Sequence, residues 1–341
     1  MTSRTAIADR PPARSGRLPE LRLDRIRYPY GPCPAALEAA AAADDVPLPA
    51  LAAQLRQRLG KVYRVSPDAV SLVPGAAGVL RQIVERTEGP LIAFPPSATA
   101  TGILEWGSTR EVLALTRGPG RESSVPLDLA MDLPANGVAV VDSPSNPLGS
   151  LLTTADAVRL ARACRLLIVD ERYAELSGFS LLHLSAEFEN VVVVRSFEYW
   201  AGLDDPPCAW VAASPRTVDA LGLNGDVPRR EALAGALATL DSLDSVDATL
   251  RLLREERSRL YRFLRKLSFL EPIPSWGPFL AVRVALVPRA RVVSGLASRG
   301  VYVHAPEEPG LERVLRIGIG SRSAMDRLRE ALLELGSELL A

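Results

Sequence analysis

The sequence contains almost no lysine or histidine. Of its 40 basic residues only Lys61 and Lys266 are lysines, and His183 and His304 are the only histidines. Chemistry that needs a primary amine or a pair of imidazoles therefore has few candidates. A bias toward arginine, with abundant alanine, is also what a GC-rich coding sequence writes. The three cysteines, Cys33, Cys164 and Cys208, are odd in number and widely spaced. That supports neither a disulfide framework nor a zinc cluster, so no metal is expected. The 40 basic and 40 acidic residues cancel, and nothing draws the chain toward nucleic acid or an anionic membrane. No run approaches the ~20 apolar residues of a membrane helix, and the first residues lack the apolar core of a signal peptide. A cytoplasmic protein with no membrane partner is the expectation.

What is present is ordinary globular material: 341 residues, 48% hydrophobic and 23% charged, enough for about two domains at roughly 150 residues each. Residues 1–20 carry three prolines and four arginines without an apolar period, and read as a flexible arm able to reach a partner subunit. An extended Pro-rich stretch, Tyr28 to Pro34, leads into helices over 35–43 and 49–59. Short apolar or β-branched runs at 70–73, 91–94, 111–115, 137–141, 165–169, 190–195 and 209–213 then alternate with helical patterns at 78–86, 99–106 and 155–163. Apolar strands between helices predict a buried, mainly parallel sheet, giving a large α/β domain over 21–228. From Arg229 to Leu267 the pattern is helical throughout and ends in a long amphipathic helix. Strands at 279–284, 301–304 and 314–319, with a final helix over 324–340, complete a smaller α+β domain over 229–341.

Four motifs in order resemble those of fold-type I pyridoxal-phosphate (PLP) aminotransferases, specifically the branch holding histidinol-phosphate aminotransferase and threonine-phosphate decarboxylase. Tyr28-Pro-Tyr-Gly-Pro-Cys-Pro34 resembles that family's Asn-Pro-Tyr-Gly-Pro-Ser-Pro. Asp142-Ser-Pro-Ser-Asn-Pro-Leu-Gly149 is similar to its Asn-Pro-x-Asn-Pro-Thr-Gly loop. Ile168-Val-Asp-Glu-Arg-Tyr173 resembles its strand ending in Asp-Glu-x-Tyr, and Leu315-Arg-Ile-Gly-Ile-Gly320 its Leu-Arg-Ile-x-x-Gly. The resemblance implies a large domain with a seven-stranded, mainly parallel sheet, a smaller C-terminal domain, and a homodimer with its site at the interface.

By the same resemblance, Asp170 stands where the pyridinium nitrogen is paired, and Tyr173 and Asn146 stand near the phenolic oxygen. Arg316 stands where a substrate carboxylate is gripped, with Tyr28 also on the substrate side. Other roles stay open. Asp170 and Tyr173 can simply hold a loop, Asn146 fits an Asx-type turn, and Arg316 can have an internal partner.

The family's Schiff-base lysine is where the match fails. Anchoring on Gly202-Leu203 puts Tyr199 at the lysine position and Glu198 at the preceding serine; neither forms an imine. The phosphate-cradling turn reads Val73-Pro-Gly75-Ala-Ala-Gly78, small but without a hydroxyl, so Gly75 is at most a vestige of a cofactor site. Ser97-Ala-Thr-Ala100 lacks the aromatic expected over the ring, and Glu198, Asp204 and Asp205 add negative charge with no compensating cation in that segment. No cofactor is therefore expected, or PLP only without a lysine aldimine. Glu198 and Tyr199 can be read as a new acid/base pair or as drift after loss of function; His304, in the small domain, is a candidate for either a site or a structural role. The leading expectation is a repurposed, PLP-independent enzyme acting on an amino-acid-like or carboxylate metabolite in a specialised biosynthetic pathway. The alternatives are a non-catalytic partner in a heteromer with a paralogue or pathway protein, and an atypical PLP-binding aminotransferase or decarboxylase.

Overall fold

The computed structural model describes residues 19–107, 109–117 and 133–340; most of the arm expected over 1–20 lies outside them. Among these residues, twelve strands form three sheets. They are β1 (Leu21–Arg22), β2 (Val70–Val73), β3 (Leu91–Ala93), β4 (Val112–Ala114), β5 (Val138–Asp142), β6 (Leu166–Asp170), β7 (Val191–Ser196), β8 (Ala209–Ala212), β9 (Leu270–Pro272), β10 (Phe279–Val284), β11 (Val301–Tyr302) and β12 (Val314–Gly318).

The main sheet has seven strands in the order β2-β8-β7-β6-β5-β3-β4. The run from β7 to β4 is parallel, and β8 is antiparallel to both its neighbours. Strands β5, β6 and β7 are buried at every position, which matches their almost unbroken apolar sequence and requires cover on both faces. Alternation along the strand sorts the side chains. Val138 and Val140 pack with Val79, Leu80 and Ile103 on one face, whereas Ala139 and Val141 pack with Leu55, Leu160 and Leu233 on the other. The large α/β layer and its seven-stranded, mainly parallel sheet are therefore those expected from the sequence.

The region expected to be helical throughout from 229 to 267 is two helices, Arg230–Asp241 and Leu243–Leu264. Ser242 leaves the helical conformation between them, while its carbonyl accepts from Ser245 and Val246 to start the second helix. The polar pair Asp241-Ser242 separates a helix buried along much of its surface from an amphipathic one, so the chain changes direction where the apolar stripe changes width.

Beyond them, β9, β10 and β12 form an antiparallel sheet that aligns Arg316 with Ala281. Strand β11 pairs in parallel with β1. Only Val301 and Tyr302 of the strand expected over 301–304 belong to it; His304 makes an isolated bridge to Arg316. Among the described residues no helix is long and apolar enough to cross a membrane, and no cluster of three or more His, Cys, Asp or Glu side chains is arranged to hold a metal ion.

Candidate functional site

An open α/β sheet leaves a crevice at the C-terminal ends of its parallel strands. Strands β5 and β6 end there side by side, with Asp142 and Asp170 as register partners, both buried. Adjacent buried carboxylates repel unless each is neutralised, and each has its own arginine. Arg117 NH2 lies 3.2 Å from Asp142 Oδ1, with both side chains almost wholly buried. Burial pushes the Asp142 carboxyl up and the Arg117 guanidinium down, and their attraction opposes both shifts.

Asp170 is held more tightly. Its Oδ2 accepts from Thr99 Oγ1 at 2.8 Å and from Arg172 NH2 at 2.7 Å and Nε at 3.0 Å. Its Oδ1 accepts from Arg172 Nε at 2.9 Å and from the Arg172 backbone N–H at 3.3 Å. Burial works against the Arg172 charge, but attraction and hydrogen bonding to Asp170 outweigh it and hold the guanidinium pKa well above its ordinary value. Thr99 is in place because Ser97 caps the helix Ala98–Trp106, accepting from Ala100 N–H at 3.0 Å.

Glu198 and Tyr199 come from the short helix that follows β7. The Tyr199 hydroxyl accepts from Arg172, while burial raises its pKa. Its ring meets Tyr173 at 4.8 Å, and Tyr173 in turn meets Phe279 at 5.6 Å, both edge-on. Burial likewise raises the Glu198 carboxyl; the Ser196 hydroxyl, the Arg172 charge and the Ala76 backbone N–H pull it back. Glu198 thus lies at the N-terminus of the helix Ala76–Arg86, with Oε1 3.8 Å from where a Cβ on Gly75 would stand. The negative charge expected in this segment is therefore divided: Arg172 faces Glu198, while Asp204 and Asp205 are exposed.

Arg316 enters from β12. Its NH1 donates to Asn146 Oδ1 at 3.0 Å and its NH2 to the Asp24 carbonyl, while Nε, also buried, has no partner. No carboxylate pairs with it among the described residues, and burial lowers its pKa. Asn146 is oriented by its backbone N–H, which donates to Asp142 Oδ2 at 2.9 Å. His304 exchanges both backbone hydrogen bonds with Arg316; burial first, then the Arg316 charge, depress its imidazole pKa.

The structure thus gathers Asp170, Tyr173, Glu198, Tyr199 and Gly75, and it joins Asn146 and His304 to Arg316, whose charge also acts on Tyr173. Tyr28 stands apart: its hydroxyl is bonded to Thr249 and its ring packs on Tyr30, with no bond to Arg316 or Asn146. Both lysines are exposed, Lys61 in the helix Leu48–Tyr63 and Lys266 just beyond Leu243–Leu264. Sequence reasoning did not single out Arg172, Arg117 or Thr99. The available signal for Arg172 was a long cation in the variable position of the Asp-Glu-x-Tyr motif.

Residues 127–332, more than half the chain, match the family model described as aminotransferase class I and II. A histidinol-phosphate aminotransferase of Citrifermentans bemidjiense is 30% identical over 327 residues, covering 93% of this chain and 92% of that protein. The crystal structure of a putative histidinol-phosphate aminotransferase from Erwinia carotovora atroseptica superposes with a TM-score of 0.83 at 18% identity, over 94% of this chain and 97% of that one. A histidinol-phosphate aminotransferase from Sinorhizobium meliloti, solved in complex with pyridoxal-5′-phosphate, gives 0.78 at 23% identity, over 92% and 90%. The matching fold, the ordered motifs and these relatives lead to one conclusion: the chain belongs to the class I and II aminotransferase family.

Proposed function

We propose that this chain is a cytoplasmic homodimer that has left aldimine chemistry and binds an amino-acid-like or other carboxylate metabolite, acting on it without PLP in a specialised biosynthetic pathway. The observation that carries the reading is Arg316, a residue only 9% exposed, with an orphaned Nε and no carboxylate in ion-pair contact among the described residues, Asp24 and Glu308 acting on it only from farther away. A buried cation without a counter-ion is costly, and a carboxylate ligand supplies the missing charge in a bidentate pair. Asn146 and the Asp24 carbonyl fix the plane of the guanidinium and so the direction of approach.

The residues present do not fit the cofactor used by the family. Tyr199 stands at the position that the resemblance gives to the lysine, and the two lysines of the chain are exposed. The carboxylate expected to face a pyridinium is saturated by Arg172 and Thr99. No step is therefore routed through PLP. Proton transfer falls to Glu198, beside the N-terminus of the helix Ala76–Arg86, and to His304, joined to Arg316 through the backbone.

The test combines two measurements on the purified full chain. After incubation with pyridoxal phosphate and borohydride, the intact mass is expected to show no site-specific adduct, and a panel of amino acids and small carboxylates is expected to contain compounds that raise the melting temperature. A visible aldimine band with an adduct at one lysine would overturn the reading in favour of an atypical PLP enzyme. No protection by any carboxylate, with a stable heteromer isolated instead, would replace it by the non-catalytic partner. Sedimentation is expected to report twice the chain mass.

A further inference from the structure

The crevice has two polar ends, and each is already filled by a side chain of opposite charge. At one end the Asp170 carboxylate, offering about four lone-pair sites, accepts five contacts between 2.7 and 3.3 Å, four of them from Arg172. Nothing is left for an external N–H. The Arg172 side chain is only 15% exposed and the Asp170 side chain 1%, so an incoming cation would have to displace a buried, bidentate ion pair. At the other end, the N-terminus of Ala76–Arg86 favours an anion, and Glu198 lies against it beside Gly75. A phosphate placed there would meet a carboxylate in a poorly solvated site. Tyr199 closes the middle, bonded to Arg172 and stacked edge-on against Tyr173.

We propose that Arg172 and Glu198 act as a built-in plug, the first in place of a cofactor's cationic ring and the second in place of its phosphate, which excludes phosphopyridines from this crevice. The inference rests on the reading that no aldimine forms, and goes further by naming the residues that enforce exclusion. Tyr199 alone would explain the loss of an imine but not a loss of affinity. The plug also leaves Arg316 as a cation with no carboxylate paired directly to it among the described residues, which directs specificity toward carboxylates.

The probe is pyridoxine 5′-phosphate, which has no aldehyde and reports fit alone. Binding is read by equilibrium dialysis and thermal shift for the unmodified protein, Arg172→Ala, and Arg172→Ala with Glu198→Ser. The unmodified protein is expected to bind no probe saturably, and the double variant to bind at least about tenfold more tightly. Equal affinity in the two would overturn the plug. Arg172→Gln, which keeps an amide donor for Asp170, carries the same expectation if Arg172→Ala does not fold. An independent readout adds Tyr199→Lys: with pyridoxal phosphate and borohydride, a mass adduct at position 199 is expected only when the two plug substitutions are also present. A full adduct with Tyr199→Lys alone would overturn the proposal. An adduct on Lys61 or Lys266 in the unmodified protein would instead overturn the no-aldimine reading, and the pyridoxine result distinguishes the two because that probe cannot form an imine.

Discussion

At the scale of single residues, the site is governed by which buried charges have partners. Arg117 neutralises Asp142 and Arg172 neutralises Asp170, whereas the guanidinium of Arg316 bonds, among the described residues, to an amide and a carbonyl oxygen and to no carboxylate. Replacing Arg316→Gln is expected to weaken any protective carboxylate by about 1.5–3 kcal/mol, roughly 10- to 150-fold in Kd, measured by titration calorimetry. His304 gives a pH signature. Its folded pKa lies below the unfolded value because burial and Arg316, aided by Arg289, outweigh the opposing charges of Glu308 and Asp24. The unfolded chain therefore binds this proton more readily. The stability contributed by the neutral imidazole is present above the unfolded pKa of about 6.5 and is lost as pH falls through the depressed folded value. Denaturant midpoints measured across that window should fall with pH, and less so in His304→Asn.

At the scale of elements, the crevice depends on close backbone approaches. Gly202 ends the short helix bearing Glu198 and Tyr199 at φ +73°, and a Cβ there would lie 2.7 Å from the Gly31 carbonyl carbon. That approach seats the Tyr28–Pro34 stretch against the segment carrying the site. The variant Gly202→Ala combines a left-handed conformation, costing about 1–2 kcal/mol, with a backbone clash that must be relieved by movement. We expect a lower urea midpoint by at least that amount and a change in Tyr199 environment visible in near-UV circular dichroism. The break at Ser242 belongs to the same scale: a continuous apolar and amphipathic run is divided by a capping-type residue whose geometry the periodicity does not report.

At the scale of the whole molecule, one buried cluster ties the sheet to its cover. Arg195 on β7 pairs with Glu171 Oε2 at 2.9 Å and Glu175 Oε1 at 2.5 Å, both beyond the end of β6, and lies 5.0 Å from the centre of the Tyr63 ring of the helix Leu48–Tyr63. Replacement by Arg195→Met strands two buried carboxylates and is expected to destabilise the fold by about 3–5 kcal/mol, read as a shift in urea midpoint. Adding Glu171→Gln and Glu175→Gln should recover part of it, because the stranded charge and not lost volume is the main cost.

The sequence by itself determined the seven strands of the main sheet in their chain order, the α/β class, the family motifs and the residues standing at each motif position. These are local properties: apolar runs, 3.6-residue stripes and turn residues act over neighbours a few positions apart. It also exposed the scarcity of lysine, since composition needs no coordinates. Only the tertiary structure decided which charges meet. Arg117 and Asp142 are 25 positions apart, Asn146 and Arg316 are 170 apart, and both meetings depend on sheet register and on how the segments pack. Even the short step from Asp170 to Arg172 was opaque, because the motif shows the arginine but not whether its side chain turns to solvent or back over the carboxylate. That choice is set by the enclosed crevice, where an unpaired buried carboxylate is costly and the nearest guanidinium removes the cost.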